Sequence, residues 1–166
     1  MNAVLETLLE DAERDPLPVA HTSSEWQRYG TRTVVERRGT GLVIQGAGLG
    51  EISAHHWAMR TLHSLERLSY RSVTKALRSH RAVWRATKAL ARDLNFALTF
   101  DVWKCSVILA LLMDHWSECG LAPRVFVLIG DGYGLLSALI RRQLPESRLY
   151  CIDLPKILVI QAYTHE

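Results

Sequence analysis

Three glycines and one aspartate carry the chemistry this sequence suggests. Gly130, Gly132 and Gly134 alternate with Asp131 and Tyr133 directly after the apolar run Val125-Phe126-Val127-Leu128-Ile129. Glycine lets a backbone turn sharply and lets a ligand approach closer than any Cβ would permit. A second apolar run, Leu149-Tyr150-Cys151-Ile152, ends on Asp153. A carboxylate at that point can accept hydrogen bonds from both hydroxyls of an adenosine ribose. If the two runs are parallel strands, the turn and Asp153 share the edge where open α/β sheets bind ligands. The combination points to a nucleoside-containing cofactor.

The residue types narrow the choice. A dinucleotide turn wants GxGxxG, but Leu135 stands where the third glycine would be. Asp131 would also repel a pyrophosphate held beside the turn. A phosphate-binding P-loop needs Gly-Lys-Ser/Thr, which does not follow. S-adenosylmethionine has no phosphate and carries a sulfonium cation, so an acid in the turn is acceptable. Two plainer readings stay open: a purely structural strand-to-helix turn, and Asp153 as an N-cap just before Leu154-Pro155. A second GxGxG, at Gly46, Gly48 and Gly50, has Ser69 where an acid would be needed and reads as a loop.

The elements that must position these residues follow from periodicity. Residues 1–20 read as a short helix ending near Asp15-Pro16, and 25–50 as loops with a short hairpin around the β-branched patch Thr31–Val35. Ile52, His55, Met59, Leu62, Leu65 and Leu68 recur at helical spacing and predict one buried face. Val73, Leu77, His80, Trp84, Thr87, Ala91 and Leu94 predict a second helix, with Arg78, Arg81, Arg85, Lys88 and Arg92 as a basic stripe beside them. A third helix, N-capped by Asp101 and ended by Gly120, is apolar nearly all round and must be buried on most sides. The tryptophans at 57, 84, 103 and 116 read as core anchors of this bundle. After it, the run 125–129 reads as a parallel strand covered on both faces. A helix over Leu135 to Ile140, a strand at 149–152 and a helix from Pro155 through Ala162 complete a β-α-β-α order. The expected fold class is therefore α/β: a mainly helical domain over 1–120, then an incomplete Rossmann-like parallel sheet over 121–166.

The two motifs, Ile129-Gly130-Asp131-Gly132-Tyr133-Gly134 and Ile152-Asp153-Leu154-Pro155, carry a resemblance over residues 125–166. The segment resembles the opening of class I S-adenosylmethionine-dependent methyltransferases and is most similar to sugar O-methyltransferases. The resemblance implies methyl transfer to a hydroxyl of a small acceptor, a sugar or nucleotide-sugar. It implies a cofactor site of Gly130, Asp131, Gly132, Tyr133, Gly134, Asp153 and Leu154. The glycines would border the methionine and ribose, Asp153 would hold the ribose hydroxyls, and Leu154 would border the adenine. One position departs: the family's acid two residues before the first glycine is Leu128 here. The acceptor pocket and general base would lie further along such a domain, so no catalytic residue is assigned. The chain is expected to be a truncated piece of that enzyme, inactive on its own.

Composition sets the outer bounds. Of 166 residues, 48% are apolar and 22% charged, which excludes a disordered chain. The longest apolar stretch, Val107 to Met113, is far short of the roughly 20 residues that span a bilayer. Cys105, Cys119 and Cys151 are scattered and odd in number, which fits a reducing cytoplasm. His55, His56 and His63 lack Cys or carboxylate partners at ligand spacing, so no metal is expected. Two rival classes remain: a non-catalytic helical interaction module, and a basic nucleic-acid binder. The second lacks interleaved aromatics and a recognised module, and a net charge of +3 is small for it.

Overall fold

The computed structural model describes residues 3–14, 32–38, 41–45, 57–70, 72 and 74–165. The chain is a mixed helix–strand protein with a small parallel two-stranded sheet. It forms two compact units, one of residues 1–50, 127–134 and 151–166, the other of 51–126 and 135–150. The units interleave along the chain, whereas the sequence reading divides it once, at residue 120.

In the first unit, α1 (Ala3–Arg14) packs on α7 (Pro155–His165). Leu5, Leu9 and Ala12 recur at helical spacing and close on Val159, with Leu8, Val35 and Ala162 around them. The β-branched patch forms an antiparallel hairpin of β1 (Val34–Arg38) and β2 (Gly41–Gln45), in register from Val34 opposite Gln45 to Arg38 opposite Gly41. Lys156 Nζ donates to Thr33 C=O at 3.3 Å, tying α7 to the entry of β1. The expected proline connection and the glycines at 46, 48 and 50 lie outside the described residues.

The second unit is built around α5 (Phe100–Glu118), against which α2 (Trp57–Ser69), α3 (Thr74–Ser79), α4 (Arg81–Asp93) and α6 (Leu135–Gln143) pack. Val83, Leu90, Ala91, Val102, Leu109, Ala110, Leu139 and Ile140 form its core. The buried hydroxyls Thr87 and Ser106 are satisfied on their own helices, by Val83 C=O at 2.9 Å and Trp103 C=O at 2.6 Å. Gly120, at φ +64°, ends α5 as expected, and Leu121 N–H returns to Trp116 C=O.

Several expectations are corrected. Thr99, not Asp101, caps α5: its hydroxyl accepts from Val102 N–H at 3.3 Å, while Asp101 sits in the first turn and pairs with Lys104. Both types suit a cap, and spacing alone cannot choose between neighbours. The second periodic helix is two helices broken at His80, whose Nε2 reaches Asp114 Oδ1 on α5 at 2.7 Å. On α2 the stripe Leu62, Leu65 and Leu68 is exposed while His63 is buried beside Glu66. A period locates a stripe but does not decide which neighbour arrives against it. Trp103 is a core residue, in ring contact with Tyr70 and Phe100, but Trp57 is exposed. On α5, Ile108 and Leu111 also reach solvent.

The strand pair departs most. In β3 (Val125–Ile129) Val125, Val127 and Ile129 are 58%, 59% and 70% exposed, and Leu128 alone is buried. In β4 (Arg148–Ile152) Tyr150 and Ile152 are likewise exposed. The side chains alternate, as a strand requires, so one face is covered and the other is not. Coverage of both faces, expected from the continuous apolar run, is not met. Among the described residues no helix is long and apolar enough to cross a membrane.

Candidate functional site

Every residue of the expected cofactor site that the geometry gathers lies in the first unit, at the carboxyl ends of β3 and β4. Gly130 N–H donates to Ile152 C=O at 2.9 Å, so the strand pairing runs up to the first glycine. From there the backbone takes a path that side chains resist, with φ of +72° at Gly130, +60° at Gly132 and +74° at Gly134. Gly134 N–H closes the turn on Asp131 C=O at 3.3 Å, and α6 starts at the next residue.

Asp153 faces this turn. Its Oδ2 accepts from Gly132 N–H at 3.2 Å and from Gln161 Nε2 at 2.8 Å, and its Oδ1 accepts from Leu154 N–H at 2.9 Å. The carboxylate is thus a clasp joining the glycine turn, the end of β4 and α7. It is not the N-cap of α7, because that helix begins at Pro155 and the C=O of Leu154 accepts its first bonds. A carboxylate has about four acceptor positions, and three donors leave about one for a ligand. A two-handed grip on a ribose diol would have to displace a protein donor.

The three glycines do different work. A Cβ on Gly132 would meet nothing within 4 Å, so this is where a ligand could come close to the backbone. A Cβ on Gly134 would stand 3.0 Å from Gln161 Cα and 3.2 Å from its Cβ and Cγ. Gly134 therefore admits α7, not a ligand. Thr164 Oγ1 adds a second tether, donating to Tyr133 C=O at 2.7 Å. Leu154 is buried, Asp131 and Tyr133 are half-buried, and Leu128 is a buried apolar residue where the resemblance wants an acid.

Gln161 and Thr164 are the members that sequence reasoning missed. Gln161 is 2% exposed, and its Oε1 is sealed from solvent without a hydrogen-bond partner. Such an orphan acceptor costs about 1–3 kcal/mol, which the Nε2 bond to the Asp153 carboxylate offsets. The available signal was one amide among apolar neighbours on α7, two helical turns beyond Asp153.

Chemically, the arrangement offers a carboxylate with an acceptor position to spare and an open glycine, which can hold and orient a polar or cationic ligand. Of the histidines considered as metal ligands, His55 and His56 lie outside the described residues, and His63 Nδ1 is 2.8 Å from Glu66 Oε2. Among the described residues, no group of three or more His, Cys, Asp or Glu side chains could hold a metal ion. No protein-family model, no curated protein and no solved structure matches this chain.

Proposed function

We propose that the glycine turn and Asp153 form the S-adenosylmethionine site of a class I O-methyltransferase acting on a sugar or nucleotide-sugar hydroxyl. The observation that carries this reading is the hydrogen bond from Gly132 N–H to Asp153 Oδ2 at 3.2 Å, which joins turn and acid beside a parallel strand pair. The residues fit the group in two respects. Gly132 leaves open space where a Cβ would otherwise stand, and Asp153 keeps an acceptor position for one ribose hydroxyl.

Bound there, the cofactor would supply an electrophilic methyl group on a sulfonium. Gly132 would admit its methionine end, Asp153 would fix one ribose hydroxyl, and Leu128 would leave the amino-acid end without the family's usual carboxylate. Transfer needs an acceptor hydroxyl aligned with the methyl group and a base for its proton. No residue of this chain is assigned as that base. The exposed leucines of α2 favour one second reading, a helical interaction module whose strands and α7 only complete the fold.

Equilibrium titration of radiolabelled S-adenosylmethionine separates the two. Saturable binding lost in Asp153→Ala and weakened in Gly132→Ala supports the cofactor site. Asp153→Ala also removes a structural clasp, so the second variant, whose added Cβ would meet nothing within 4 Å, guards against mere unfolding. A folded sample that binds none favours the module.

A further inference from the structure

A second binding site lies entirely within the helical unit. Arg67 of α2, Arg78 of α3 and Arg81, Arg85 and Lys88 of α4 line one open cleft of about 470 Å³. Sequence alone reads Arg78, Arg81, Arg85, Lys88 and Arg92 as a solvated stripe. The fold puts Arg78 on a separate helix, adds Arg67 from a third, leaves Arg92 outside and makes the rest line a concavity. The charge gathered there exceeds the +3 of the whole chain.

Among the described residues these cations are not balanced by a carboxylate. Four acids of this unit are paired elsewhere: Asp93 with Arg142, Asp101 with Lys104, Asp114 with His80 and Glu66 with His63. Among the described residues no carboxylate pairs with Arg78, Arg81, Arg85 or Lys88. Like charges crowded without a counter-charge repel, and an anion entering the cleft relieves all of them together. Arg67 is already oriented, since its guanidinium donates to His63 C=O at 3.1 Å and to Ser64 Oγ at 2.8 Å.

The cleft is also aromatic. Trp84 and the buried Trp103 both line it, with Lys88 Nζ 5.8 Å from the Trp84 ring centroid. Along α4, Arg81 and Lys88 are about 10 Å apart on the helix rise, longer than one phosphate group. A ligand that uses the whole row needs several anionic oxygens and a flat apolar ring beside them. We infer that this cleft binds a nucleoside diphosphate moiety, free or carried by a larger small molecule. Its phosphates would lie along Arg81, Arg85 and Lys88, and its base against Trp84. The cleft's volume is within the usual range for a small-molecule site, about 300–1,000 Å³. The site shares no residue with the glycine turn, so it stands whether or not that turn binds S-adenosylmethionine.

The test is fluorescence and calorimetric titration of the full chain with uridine diphosphate, adenosine diphosphate and inorganic pyrophosphate at low salt. Saturable binding of a nucleoside diphosphate, tighter than pyrophosphate and quenching tryptophan emission, is expected. Arg81→Ala/Arg85→Ala should weaken it at least about tenfold, as loss of charge-assisted bonds does, with an unchanged circular dichroism spectrum. Trp84→Phe should remove the quenching. No binding at about 1 mM, the weak end of specific affinities, overturns the inference. So does binding indifferent to the double substitution. Tighter, length-dependent binding of single-stranded RNA that the same substitution abolishes also overturns it, in favour of a nucleic-acid surface.

Discussion

Alanine substitutions at Gly132 and Gly134 should differ sharply in stability, although both glycines have positive φ in one turn. Placing a Cβ at φ +60° or +74° costs each variant about 1–2 kcal/mol of backbone strain. At Gly132 nothing stands within 4 Å, so strain is the whole cost. At Gly134 the new methyl meets Gln161 Cα at 3.0 Å, which is main chain and cannot rotate aside. Helix α7 would have to retreat by a few tenths of an ångström, disturbing the bonds from Gln161 to Asp153 and from Thr164 to Tyr133. Overpacking of that kind typically adds about 1–3 kcal/mol. Gly134→Ala should therefore lose about 2–5 kcal/mol and Gly132→Ala about 1–2. Against a usual domain stability of about 5–15 kcal/mol, the first is a large share. Urea unfolding followed by far-ultraviolet circular dichroism measures both. Equal losses, or a larger loss at Gly132, would refute the reasoning that Gly134 exists for the approach of α7.

Three further substitutions test the supports of the two units. Thr164→Val keeps shape but removes the 2.7 Å bond to Tyr133 C=O, and should cost about 0.5–1.5 kcal/mol in the same unfolding assay. Thr99→Ala should cost about 1 kcal/mol as a lost helix cap, whereas Asp101→Ala, which leaves the cap intact, should cost less.

The sequence was most informative where local chemistry is decisive. The alternation of glycine with Asp131 and Tyr133 identifies the turn, because positive φ at three positions demands residues without a Cβ. Gly120 marks the end of α5 for the same reason. The pairing of Asp153 with the turn followed from strand order alone. What stayed hidden depends on partners distant in the chain. Gln161 acquires its meaning only when α7 folds back under Gly134. His80 breaks a regular period because Asp114, 34 positions away, offers its ring a partner. The exposed faces of α2, β3 and β4 could not be foreseen, since an apolar stripe states a preference for cover without supplying it.

The clasp also reframes the role expected for Asp153. Three protein donors already converge on its carboxylate, so its first task is to hold β4, the turn and α7 in one arrangement. A ligand reading is compatible with that task through the remaining acceptor position. It implies a one-handed hold on a ribose, with Gly132 providing the close backbone approach.

The most direct measurement of whether the turn is a cofactor site is residue-resolved nitrogen-15 NMR during titration with S-adenosylhomocysteine, the unreactive product form. Saturating shifts at the Gly130 and Gly132 amides and at Leu154, with Gly120 of the helical unit unmoved, are the expected result. Unmoved Gly132 and Leu154 amides in a well-folded sample at saturating ligand would contradict the account.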